Sequence, residues 1–117
     1  YIRALARDLG DALGVGGHLT ALRRTRVAEF GIDQAATLSE LAEELTVTPL
    51  AEACGALFTT VVVDEAAAVR ISHGVRIEWP AGLTGDDTVA VYGPEQRILG
   101  LAECKDGRLA PTVVWAN

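Results

Sequence analysis

From Phe58 to Trp115 the sequence is cut by turn residues into short β-branched stretches, a rhythm that suits a small sheet and little else. FTTVVV at 58–63 is followed by DEAAAVRISHG at 64–74, which opens on acids, closes on Gly74 and reads as a helix. VRIEW, DTVAVYG and QRILGLAEC come next, separated by PAGLTGD and GPE. KDGR at 105–108 then supplies the Asp-Gly pair of a tight hairpin before LAPTVVW. One helix among about five strands in about sixty residues predicts a small, partly closed barrel.

The first half follows another rule. Ile2, Leu5, Ala6, Leu9 and Leu13 recur at helical spacing and GVGG at 14–17 ends the pattern, so 2–13 reads as an amphipathic helix with a glycine stop. Arg3 and Arg7 lie one turn apart beside the apolar stripe. Arg3 stands in the first turn, where the helix dipole is already positive, so it needs an anion opposite it. HLTALRRTRV at 18–27 sorts better by parity than by a 3.6 period and predicts a strand, with His18, Thr20, Leu22, Arg24 and Arg26 on one face. Thr37 and Glu40 have capping-box spacing ahead of a short helix over 37–45. Pro49 opens another over 49–57. The change of style puts a domain boundary near 46–58.

At 117 residues the chain holds one ordinary domain, or a small domain with a piece of another. No methionine occurs, and the sequence is therefore expected to be incomplete as a translated product. It has neither a long apolar run nor a signal-peptide pattern, and a soluble, cytoplasmic protein is expected. Cys54 and Cys104 are too far apart for a CxxC motif or a zinc site and are expected to act as small hydrophobes, with no metal bound.

The net charge of −6 is unevenly spread. Residues 1–30 carry five Arg against three acids, residues 31–68 carry seven acids and no Lys or Arg, and residues 69–117 carry five cations against six acids. A cationic surface on an acidic chain is thus allowed. GxSxG, P-loop and HExxH patterns are absent, and GVGG lacks the strand before and the helix after that a phosphate cradle needs. LRRTR at 22–26 places three arginines in four positions, and spacing alone leaves open whether they line an exposed edge or meet phosphates.

YIRALARDLGDALGVGGHLTALRRTR resembles a conserved block of the bacterial tRNA pseudouridine synthases of the TruB family, whose pattern runs GTYIRxLxxDLGxxLGxGAHLxxLRRTRxGxF. Ala28 and Glu29 stand where the family often has Gly-Pro, and Gly17 where it usually has Ala. VDEAAAVRISHGVRI and GLAECKDGRLAPTVVW resemble the family's C-terminal PUA-type RNA-binding module. The resemblance implies an α+β fold, with 1–57 as the end of a catalytic domain plus an acidic helical connector and 58–117 as a PUA-like barrel. It implies an isomerase that converts a T-loop uridine of tRNA to pseudouridine without cofactor, acting as a monomer. Arg3 would pair with an aspartate nucleophile from an earlier block, and Tyr1 and Leu22 would contact the flipped uracil. Arg23, Arg24, Arg26, His73 and Arg76 would bind RNA. A free-standing RNA-binding module and an acidic protein-interaction domain are the other readings.

Overall fold

Backbone contacts divide the chain into two units, Tyr1–Ala35 and Ala36–Asn117, in a computed structural model that describes residues 1–84 and 88–115. The last two residues of PAGLTGD and Asp87 lie outside the described residues, as do residues 116–117.

In the first unit, α1 spans Ile2–Ala12, with Tyr1 at its N-cap making no side-chain cap bond. The chain then turns through Gly14 and Gly16, both at positive φ, and returns across the helix. The amides of Val15 and Gly16 donate to the Gly10 carbonyl at 3.0 and 3.1 Å. A Cβ on Gly10 would stand 2.1 Å from the Gly16 carbonyl carbon, and one on Gly17 would stand 2.2 Å from the Ala6 carbonyl oxygen. The returning backbone therefore lies on the Ala6–Gly10 side of α1, where small residues allow close approach. Ile2, Leu5, Leu9 and Leu13 are each more than half exposed.

The strand expected over 18–27 is a correction. Residues 18–25 have no regular structure, and only Arg26–Val27, β1, pairs with Phe30–Gly31, β2. One further bond, from the Ile32 amide to the Thr25 carbonyl at 2.9 Å, prolongs the pairing. A strand exists only as part of a ladder, and β2 is the only strand among the described residues of this unit to pair with it. The faces assigned by parity to His18, Leu22, Arg24 and Arg26 are therefore not formed as faces of a strand.

The second unit holds the capped helix, the sheet and the hairpin read from the sequence, and begins earlier than the expected 58. Helix α2, Leu38–Glu43, starts with a complete capping box: the Thr37 hydroxyl accepts from the Glu40 amide and the Glu40 carboxylate accepts from the Thr37 amide. Helix α3, Leu50–Leu57, follows Pro49. Strand β3, Thr59–Val62, leads into α4, Glu65–Ser72, whose N-cap Asp64 accepts from the Ala67 amide at 2.8 Å. Then come β4, Ile77–Glu78; β5, Val89–Tyr92; β6, Ile98–Lys105; and β7, Arg108–Val114. The sheet order is β3-β5-β6-β7-β4, antiparallel except for the parallel pair β3–β5, and the sheet curls into a half-barrel. Asp106 and Gly107, both at positive φ, form the two-residue turn of the β6–β7 hairpin.

Every residue of β5 is buried, because apolar groups cover both faces of the sheet. Val89 and Val91 join Ile71 of α4 with Leu99 and Leu109, while Ala90 and Tyr92 meet Cys54 of α3, with Ala51, Phe58 and Trp115 around them. The Tyr92 hydroxyl donates to the Ala51 carbonyl and ties the start of α3 to the sheet. Helices α2 and α3, grouped by sequence with residues 1–57, thus share a unit with the sheet.

Candidate substrate hollow and cationic surfaces

Tyr1, Ile2, Arg3, Leu22 and Arg24 line one hollow of about 510 Å³ in the first unit. The turn at Gly14–Gly17 sends the chain back along α1, which brings Leu22 and Arg24 beside the helix start although they follow Arg3 by about twenty residues. Among the described residues no carboxylate forms an ion pair with Arg3 or Arg24, whereas Arg7 pairs with Asp8 at 2.6 Å and Arg76 with Asp106 at 3.2 Å. Tyr1 is fully exposed and Leu22 is 63% exposed, so this wall is open to solvent.

A second hollow of the same unit, about 350 Å³, is lined by Arg24, Arg26, Val27, Phe30 and Ile32 among others. The Arg26 guanidinium donates to the Ala28 carbonyl at 3.5 Å. Arg24 lines both hollows, Arg26 only the apolar one, and Arg23 neither. The arginines of LRRTR, adjacent in sequence, thus occupy three different surroundings.

The other RNA-binding candidates lie in the second unit. Arg76 lines a polar hollow of about 400 Å³ with Arg70, Glu78, Asp106 and Arg108. The Arg70 guanidinium donates to the Arg76 carbonyl at 3.0 Å, and Arg108 stands opposite Glu78 in the β4–β7 ladder. His73, at the C-cap of α4, is exposed; its Nδ1 lies 2.7 Å from the Val69 carbonyl, which can only accept, so Nδ1 carries the proton. Sequence reasoning missed Arg70 and Arg108. The Asp-Gly turn marked the hairpin, but the pairing of β4 with β7 that brings Arg108 to Arg76 spans about thirty residues and left no local signal.

Groups elsewhere offer little chemistry. Burial pushes the Cys54 thiol up, and burial together with Cys54 raises Tyr92, so both stay protonated near neutral pH. No group of three or more His, Cys, Asp or Glu among the described residues could hold a metal, and no helix among them is long and apolar enough to cross a membrane.

Comparison with known proteins gives a consistent picture. The family profile described as tRNA pseudouridylate synthase B C-terminal domain matches residues 3–61, and that described as Pseudouridine synthase II TruB, C-terminal, matches residues 59–114. The tRNA pseudouridine synthase B of Streptomyces coelicolor is 53% identical over 115 residues, covering 98% of this chain and 38% of the relative. That of Thermobifida fusca is 54% identical over 117 residues, covering 100% and 39%. The chain spans about two fifths of the length of these curated relatives.

Among solved structures, an H/ACA RNP bound to a substrate RNA containing 2'-deoxyuridine matches with a TM-score of 0.69 at 23% identity, over 100% of this chain and 47% of that one. A Cbf5-Nop10-Gar1 complex matches at 0.62 and 24%, over 98% and 44%. At those identities the likeness concerns the fold. With one profile taking up α1 and the arginine segment and the other the sheet, the chain belongs to the tRNA pseudouridylate synthase B family and corresponds to its C-terminal part.

Proposed function

We propose that this chain serves as the C-terminal part of a tRNA pseudouridine synthase, an isomerase that detaches the uracil of a T-loop uridine from its ribose and rejoins it through carbon. The observation that carries the reading is the hollow at the start of α1, where an aromatic ring, two aliphatic side chains and two guanidiniums without acidic partners converge. Tyr1 and Leu22 offer the flat and apolar walls against which an unstacked base packs. Arg3, in a first turn with no acid, offers the fork that holds a carboxylate ionised and oriented, and that carboxylate is the aspartate nucleophile of the longer protein.

In the same reading residues 58–117 act as a PUA-like RNA-binding domain. RNA meets the segment 22–26 in one unit, and in the other His73 and the cationic hollow around Arg76. The protein works without metal or cofactor, as a cytoplasmic monomer.

Arg3→Lys in the full-length synthase tests the assignment, because lysine keeps the charge and loses the fork. The rate at saturating tRNA is expected to fall roughly 100-fold, the usual cost of losing a preorganised group at the reacting centre, with tRNA affinity within about threefold of the parent. Lost affinity at an unchanged rate would make Arg3 a phosphate contact and overturn the reading. A chain that binds tRNA and never modifies it would fit a free-standing RNA-binding module instead.

A further inference from the structure

Two guanidiniums on one hollow offer places for two anions. Arg3 and Arg24 both line the hollow at the start of α1, and no carboxylate among the described residues pairs with either. The carboxylate in the reading above neutralises one of them. A nucleotide entering the hollow brings the second anion with it, because each base is carried on a ribose with a phosphate. At about 510 Å³ the hollow falls within the roughly 300–1,000 Å³ of ordinary small-ligand sites and has room for a base with its phosphate at the rim.

We infer that Arg24, alone among the three arginines of LRRTR, grips the backbone phosphate of the nucleotide whose base enters the hollow, leaving Arg3 to the carboxylate. This rests on the synthase reading and adds a division of labour to it. The neighbours of Arg24 do not share its position. Arg26 turns its guanidinium toward the Ala28 carbonyl and lines the apolar hollow with Val27 and Phe30, while Arg23 lines neither hollow. Strand parity would make Arg24 and Arg26 equivalent, and the irregular path of residues 18–25 separates them.

A guanidinium suits the task because its planar fork matches two phosphate oxygens. A base that leaves its stack loses a few kcal/mol of stacking and pairing. A phosphate held beside the hollow's mouth offsets part of that loss in the bound complex. Arg24 is therefore a positioning residue for the strand, and its removal should act on binding before it acts on chemistry.

The test uses full-length synthase and a T stem-loop RNA, titrated at several salt concentrations for Arg23→Gln, Arg24→Gln, Arg26→Gln and Arg24→Lys. Single-turnover rates at saturating RNA and melting midpoints are measured alongside. Arg24→Gln is expected to lower the slope of log K against log salt by roughly 0.7 to 0.9, one phosphate contact, and to weaken binding about tenfold at moderate salt. Its rate at saturation should fall less than that of Arg3→Lys. Arg24→Lys should recover the slope but only part of the affinity, while Arg23→Gln and Arg26→Gln keep the parental slope.

An unchanged slope for Arg24→Gln at an unchanged melting midpoint overturns the inference, and so does an equal loss in all three glutamine variants. Arg3→Lys, run in parallel, separates this from failure of the synthase reading, since only the latter predicts lost affinity without lost rate at Arg3.

Discussion

At the residue scale the sharpest constraint is steric. Gly10 is buried under the returning backbone, and a methyl group there would overlap the Gly16 carbonyl. Gly14 has open space around it, and its restriction is a φ of +70°. Gly10→Ala is therefore expected to cost about 1–3 kcal/mol through backbone displacement, and Gly14→Ala about 1 kcal/mol through its left-handed conformation. Denaturant unfolding of the two variants should rank them in that order; equal stability would mean that the chain does not cross α1 at Gly10. The sequence showed that a glycine stop ends the helix. It could not show that the chain then lies on the Ala6–Gly10 side, because a glycine run permits many directions and only the packed structure selects one. Ala28 has a φ of +48° at the β1–β2 turn, where a Cβ is disfavoured.

Among the elements, those with local causes were legible and those with distant partners were not. The α2 cap was readable from Thr37 and Glu40 because both halves of the box lie within one turn. The hairpin at Asp106–Gly107 was readable because its turn type demands those residues. Residues 18–25 read as a strand because alternation is a property of the segment, whereas being a strand depends on a neighbour. Even so, Leu22 and Arg24 meet in one hollow, through the irregular backbone rather than through a shared strand face. The cap also gives a pH signature. Hydrogen bonds from the Thr37 amide and hydroxyl hold the Glu40 carboxyl below its ordinary 4.5. The ionised form is thus favoured in the folded state, and the contribution is present above that ordinary value and lost as pH falls through the lowered one. Amide exchange over α2 is expected to speed up on acidification through that window. Glu40→Gln, which still accepts from the Thr37 amide without titrating, should abolish the change; a variant with the same acid sensitivity would assign it to another group.

For the molecule as a whole, charge is divided between the two units. The arginine-rich first unit carries the hollow, and the second unit, acidic in its helices, carries a separate cationic hollow formed where α4 meets the β6–β7 turn. The charge blocks were legible in sequence, but the gathering of Arg70, Arg76 and Arg108 was not, since it depends on strand order. Residues 1–117 alone are expected to produce no pseudouridine from a T stem-loop RNA, because none of their described carboxylates pairs with Arg3; any product would overturn the assignment of the nucleophile to another segment. That strand order also has a consequence for synthesis. Among the described residues Ile77–Glu78 has β7 as its only ladder neighbour, and β7 begins at Arg108. A ribosome that has translated β4, β5 and β6 has still not supplied β4's mate, so the sheet closes on that side only after β7 clears the exit tunnel. Until then β4 and the free side of β6 stay open to the mispairing that waits on incomplete sheets.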